Sequence, residues 1–288
     1  MKSKLSIILA MIVFGTIGLL VKNINLSSAE VALFRAIIAT IIIFIYKIIR
    51  GKSLRFKEFK KDIPILFISG VAMGGNWILL FEAYNYTSIS IATLSYYFAP
   101  VIVMIVCPII FKEKLTLKQI ICFFMATVGL IMIIGLSREE SGSSNIVGII
   151  FGLSAAILYS VVIILNKFIK KVTGIDRTLI QFIASIIVLI PYVALTTGIN
   201  VGNLDKKGLI SLLTLGVVHT GIAYCLYFES LKNLKGQEAA ILSYIDPLVA
   251  VVLSVAVLGE SISSLQILGG IMILGFTLLN EIKIEDKG

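Results

Sequence analysis

Charge is scarce in this chain. Of its 288 residues only 14% are Asp, Glu, Lys or Arg, and 58% are hydrophobic, whereas an ordinary soluble domain is roughly one-quarter charged. That composition excludes an ordinary soluble globular protein. Histidine and tryptophan occur once each, and cysteine three times. A single histidine excludes a multi-histidine metal centre. No His-Glu-x-x-His, Gly-x-Ser-x-Gly or Asp-rich phosphate-binding pattern is present either, so an intramembrane enzyme finds no support. Cys107, Cys122 and Cys225 lack Cys-x-x-Cys spacing and lie in apolar surroundings, where thiols stay protonated and serve as small packing residues. Neither a metal nor a cofactor is expected.

What is plentiful is apolar sequence, cut by charged segments into blocks of about 20 residues, the length of helix that crosses ~30 Å of hydrocarbon. Ten blocks are expected to span, at 5–22, 29–49, 63–82, 88–111, 116–136, 146–166, 178–197, 208–230, 236–258 and 264–280. The fold class is therefore all-α integral membrane. The first block follows Lys2 and Lys4 without a small-residue cleavage site, so it reads as a retained span. The net charge of +9 does not point to nucleic acid, because the cations follow topology and form no single basic face. With both termini in the cytoplasm, twenty of the 25 Lys and Arg residues fall on the cytoplasmic side and four on the other, with Arg35 inside a span. This bias predicts a multi-pass protein of the cell (inner) membrane with both ends inside.

The chain also repeats itself. A shift of 147 residues superposes Phe81 and Glu82 on Phe228 and Glu229, Tyr97 on Tyr244, Pro100 on Pro247, Glu113 on Glu260 and Gln119 on Gln266. The polar segment 137–145 separates the halves, 1–141 and 142–288. Five spans per half force the second half to enter the membrane inverted. Two inverted five-helix repeats in one compact unit are typical of secondary transporters. On this topology Glu82 and Glu260 lie near the outer face, and Glu113 and Glu229 near the inner.

The segment "YIDPLVAVVLSVAVLGESISSLQILGGIMILGF" at 244–276, echoed by "YYFAPVIVMIVCPIIFKEKLTLKQIICFFMATVGL" at 96–130, resembles the EamA-type repeat of the drug/metabolite transporter superfamily. Its specific parts are the mid-span proline, the glutamate about thirteen residues later and the glutamine at the next helix start. The resemblance covers nearly the whole chain. It implies ten helices in two inverted repeats and the export of small metabolites such as amino acids, with the substrate unspecified.

Polar groups deep in a bilayer are costly and are read first as functional. His219 and Asp246 fall at nearly the same depth, ~17 Å from the short turn joining their helices, and are expected to meet at the midplane. Their counterparts in the first half are Met73 and Ala99, so the pair breaks the internal symmetry. Pro100 and Pro247 are expected as mid-span bends lining a cavity, with Tyr97 and Tyr244 one helical turn before them. Asn76 and Trp77 follow Gly70 and Gly74, a small-residue spacing that lets helices approach closely. These eight residues are the expected substrate site, although each has an alternative as an interhelical packing or hydrogen-bonding group.

Arg35, Glu82, Glu113, Glu229 and Glu260 are assigned to gating or coupling. Arg35 either snorkels outward, pairs with a carboxylate such as Glu82, or meets an anionic substrate. The expected activity is secondary transport of small polar or amphipathic metabolites by alternating access, with amino-acid-like cargo preferred. Partners are the substrate, the lipid bilayer and protons as a candidate coupling ion. Sugars, nucleosides or toxic cations are the alternative cargoes. A receptor or scaffold is the alternative class, one that would not require midplane polar groups or inverted repeats.

Overall fold

The computed structural model describes residues 2–21, 23–51, 60–87, 92, 95–134, 143–169, 172, 174–200, 202, 204–258 and 263–281. Among the described residues every regular element is helical. The first half supplies α1 (Lys2–Gly15), α2 (Ile17–Val21), α3 (Ser28–Ile49), α4 (Ile63–Tyr86), α5 (Ala99–Phe111) and α6 (Leu117–Ile134). The second supplies α7 (Ser143–Phe168), α8 (Gly174–Thr196) and α9 (Lys206–Thr214), which continues through a π-helical stretch, Leu215–Ile222, into α10 (Ala223–Leu231). It ends with α11 (Gly236–Leu242), α12 (Ile245–Leu258) and α13 (Ser264–Glu281). Six helical runs among the described residues are long and apolar enough to cross a membrane, with shorter apolar helices beside them. Ten passages accommodate this set.

Side chains define the helix starts. Ser27 and Glu30 open α3 as a reciprocal pair, the Glu30 carboxylate accepting from Ser27 N at 3.0 Å and the Ser27 hydroxyl from Glu30 N at 3.3 Å. Thr116 and Gln119 do the same for α6, at 2.9 and 3.2 Å. Two helices are instead capped from a distance. Glu229 accepts from Gly174 N at the start of α8, and Glu113 from Gly236 N at the start of α11, 3.2 Å away. Each carboxylate thus meets the positive end of a helix dipole.

Three expected spans are interrupted. α1 gives way to α2 at Thr16, whose hydroxyl donates to Val13 O at 2.8 Å. The fourth span, expected over 88–111 with a bend at Pro100, turns at Tyr97 and Phe98, where Phe98 N donates to Ser95 O. The ninth, expected over 236–258 with a bend at Pro247, turns at Ser243 and Tyr244, where Asp246 N donates to Ser243 O at 3.3 Å. Pro100 and Pro247 therefore sit in the first turn of new helical segments and do not bend a continuous helix. A proline has no amide to donate, and in a first turn that loss costs nothing.

α4 lies between α7 and α8, α3 packs on α8 and the π stretch, α1 packs on α10 and α12, and α6 packs on α13. The approach of α4 to α8 is set by Gly70: a β-carbon there would come within 2.3 Å of Gln181 O. The Ser185 hydroxyl donates to Gly70 O at 2.7 Å across the same contact. Outward faces carry exposed Ile49, Ile109, Leu117 and Leu195, the surface a lipid environment demands.

At the end rich in Lys and Arg, three ion pairs join the sequence halves: Lys47 with Asp176, Lys167 with Glu113 at 2.6 Å, and Lys4 with Glu238 at 2.9 Å. The opposite end is held differently. Tyr192 donates to Glu82 at 2.6 Å, and Asn200 N to Glu30 at 2.6 Å.

Candidate functional site

The site begins on α3 and α4. Arg35 is 6% exposed and lays its guanidinium over the Trp77 ring, 4.1 Å from the centroid. Its Nε has no hydrogen-bond partner. Among the described residues no carboxylate pairs with it. The charged or polar groups in its electrostatic reach are Tyr96, Tyr224 and His219.

From Trp77 a run of aromatic side chains crosses the bundle. The Trp77 and Tyr224 rings meet edge to face with centroids 6.1 Å apart, and Tyr224 lies 6.4 Å from Tyr227. Tyr159 donates to the Tyr227 hydroxyl at 2.9 Å and stacks on Tyr96 at 5.4 Å. Tyr96 meets Tyr97 edge to face at 5.8 Å, and the Tyr97 hydroxyl donates to Asp246. Asp246, Tyr96, Tyr97, Tyr159 and Tyr224 all keep part of their surface accessible while lying within electrostatic reach of one another. Tyr97, Tyr159 and Tyr224 pack against the main apolar core while keeping part of their surface accessible.

Backbone irregularity places these groups. Asp246 follows the turn that restarts the helix as α12, and its backbone packs on Gly15, where a β-carbon would come within 2.7 Å of Asp246 O. His219 sits in the π stretch, with Nε2 2.6 Å from the Thr16 hydroxyl and Nδ1 3.4 Å from Thr214 O. The Thr220 hydroxyl donates back five residues to Leu215 O at 2.8 Å, following the wider spacing of the π turn. The π stretch has a second effect. It alters the helical register between His219 and Tyr224, and Tyr224, which α-helical spacing places well round the helix, faces the site.

The expected residues separate. Trp77, Tyr97 and Asp246 fall in the aromatic run, with His219 beside Arg35. His219 and Asp246 were expected to meet, but each has its own partner, Thr16 and Tyr97 respectively. Asn76 donates to Ala155 O at 2.7 Å and ties α4 to α7. Tyr244 is fully buried, bonded to Thr127 at 2.9 Å and stacked on Phe123. Pro100 and Pro247 are buried. Arg35 lies in the cluster, apart from Glu82, which bonds to Tyr192. Glu113 and Glu229 cap helices at the basic end. Glu260 lies outside the described residues.

Sequence reasoning missed Thr16, Tyr96, Tyr159 and Tyr227. Only the adjacency of Tyr96 to Tyr97 and the three-residue spacing of Tyr227 from Tyr224 offered a signal. A separate apolar groove of about 650 Å³ lies between α3, α8 and the π stretch, lined by Ile42, Tyr46, Ile175, Ile222 and Cys225.

Comparison with known proteins fits this architecture. Residues 1–135 and 146–281 each match the EamA-like transporter family. The "Uncharacterized transporter YxxF" of Bacillus subtilis (strain 168) is 28% identical over 284 residues, covering 98% of this chain and 90% of that one. An "Uncharacterized transporter" of Archaeoglobus fulgidus is 25% identical over 280 residues, covering 95% and 94%. A solved crystal structure superposes with a TM-score of 0.83 at 16% identity, over 97% of this chain and 98% of that one, a likeness of fold alone. Two matches that together span nearly the whole chain, on a bundle of apolar helices, establish that this multi-pass membrane protein belongs to the EamA-like transporter family.

Proposed function

We propose that the chain is a secondary transporter that exports small polar or amphipathic metabolites, with amino-acid-like cargo preferred. It works by alternating access of two inverted halves, 1–141 and 142–288, about a midplane cavity. The observation that carries this reading is Asp246, a partly buried carboxylate beside a helix break and next to an aromatic cluster. Broken helices at membrane depth are tolerated where they line a cavity, and that is where transporters bind cargo. The breaks at Tyr97–Phe98 and Ser243–Tyr244 fall within one residue of positions related by the 147-residue shift, which supports the two-repeat reading. Three ion pairs across the halves at the basic end, against neutral-donor hydrogen bonds at the other, suit a state closed on the cytoplasmic side. The protein resides in the cell membrane with both termini in the cytoplasm.

The test is counterflow in proteoliposomes with a pooled metabolite library, with and without an imposed proton gradient. Saturable exchange of at least one polar metabolite is expected. Absence of exchange from every pool by folded protein overturns the reading. Reporter fusions at Gly51 and Lys171 should read as internal, and at Ser88 and Gly142 as external; an external Gly51 overturns the topology.

A further inference from the structure

The apolar groove between α3, α8 and the π stretch lies on the back of the helix that carries the aromatic run. Ile222, Cys225, Leu226 and Glu229 recur at helical spacing and line the groove, while Tyr224, Tyr227 and Phe228 of the same stretch pack against the main core. The volume of about 650 Å³ falls within the ~300–1,000 Å³ of small-molecule sites. From Ile222 to Glu229 the groove follows ~10 Å of helix axis, about two-thirds of one ~15 Å leaflet. Ile42, Tyr46 and Ile222 are exposed at its rim, so it opens sideways to lipid.

Glu229 marks the basic end of the groove, where the carboxylates already have cations. Asp176 pairs with Lys47, and Glu229 accepts from Lys232 at 2.7 Å and from Gly174 N. Arg50 differs. It follows Tyr46 by four residues and lays its guanidinium over that groove-lining ring, 5.8 Å from the centroid. Among the described residues no carboxylate pairs with it. One exposed positive charge is thus left over at the mouth of an apolar groove.

We propose that this groove is a phospholipid site, holding one acyl chain of an anionic lipid of the phosphatidylglycerol type, with the lipid phosphodiester on Arg50. The proposal goes beyond the transport reading and does not depend on it. A guanidinium fork matches the oxygens of a phosphate, and basic pockets between membrane helices are where anionic headgroups bind. A zwitterionic headgroup brings its own cation, which offsets the attraction to Arg50. A helix of a second copy fits the groove less well, because close helix approach in lipid needs small residues and this rim carries Ile42, Tyr46 and Ile222. The bound chain lies directly behind Tyr224 and Tyr227.

The groove carries its own reporter. Of the three cysteines, Cys107 and Cys122 are buried, whereas Cys225 is half-buried in the groove wall. The purified full chain in detergent is titrated with phosphatidylglycerol, phosphatidylcholine and phosphatidylethanolamine of identical acyl chains, and modification of Cys225 by N-ethylmaleimide is followed by intact mass. Phosphatidylglycerol should slow the reaction saturably, with its midpoint at about fivefold lower lipid content than the other two, the advantage of one cation beside an anionic headgroup. Arg50→Gln should erase that preference without lowering the unfolding temperature, since Arg50 is exposed, and Arg50→Lys should keep most of it. Equal protection by all three lipids marks general lipid contact and overturns the proposal. An undiminished preference in Arg50→Gln overturns it too, as does a lack of protection by any lipid. Protection that needs no added lipid and grows with protein concentration places a second copy on the groove and likewise overturns it.

Discussion

Among the described residues two arginines are buried, both with Nε unpartnered, and they differ in what surrounds the rest of the guanidinium. Arg177, fully buried at the basic end, gives its terminal nitrogens to three backbone carbonyls: Asn166 O at 3.0 Å, Phe228 O at 3.2 Å and Ile169 O at 2.5 Å. Around it Asn166, Gln181 and Ser69 bond to one another, with Gln181 Nε2 2.8 Å from Asn166 Oδ1 and Asn166 Nδ2 3.0 Å from Ser69 Oγ. That arginine closes a network joining α4, α7, α8 and α10. Arg35, also buried, has a tryptophan face and phenols. A buried charge that cements a fold is surrounded by acceptors. One that lies over a ring face, with no carboxylate beside it among the described residues, contributes less to the fold.

The contrast is broken most strongly at Arg177. Arg177→Met leaves the three carbonyls unpaired and should cost about 3 kcal/mol or more of stability, seen as a lower unfolding temperature in detergent. A smaller effect is expected at the ion pair of Lys167 and Glu113. Lys167→Met should cost about 1–3 kcal/mol, because Glu113 keeps its bond from Gly236 N while Leu234 O loses the ammonium donor. If that pair also closes the basic end, thiol labelling of a cysteine placed at Leu234 should accelerate in Lys167→Met relative to the same cysteine alone. Smallest is Asp246→Asn, which retains an oxygen for the Tyr97 hydroxyl and should change stability by less than about 1 kcal/mol. Its consequence should lie in transport: unchanged flux and unchanged pH dependence in a well-folded Asp246→Asn protein would remove Asp246 from the site.

Much of the helical layout is legible in the sequence, because bilayer thickness imposes block length directly. α3 and α4 begin where the blocks begin, and Gly70 faces α8 as its small-residue spacing suggests. The interruptions at Thr16 and Ser243–Tyr244 were not legible, since the bonds that tolerate them come from other helices or from local turns that apolar periodicity does not encode. The π stretch is likewise silent, although it decides which way Tyr224 faces. Arg177 counts in sequence among the inside-facing cations. It is buried because α8 starts at Gly174, several residues before the apolar block at 178. Tyr96, Tyr159 and Tyr227 look like any aromatic of an apolar helix until the fold brings them together. Asp246 was legible for the opposite reason, since a carboxylate in the middle of an apolar block has few bland explanations.

The difference between the two arginines is tested most directly by the unfolding temperatures of Arg35→Met and Arg177→Met, measured side by side in one detergent. Arg177→Met should unfold at a clearly lower temperature than the parent protein, and Arg35→Met at the same or a higher one, because it removes an unpaired buried charge. Equal and large falls in both would contradict the account and make Arg35 a structural residue.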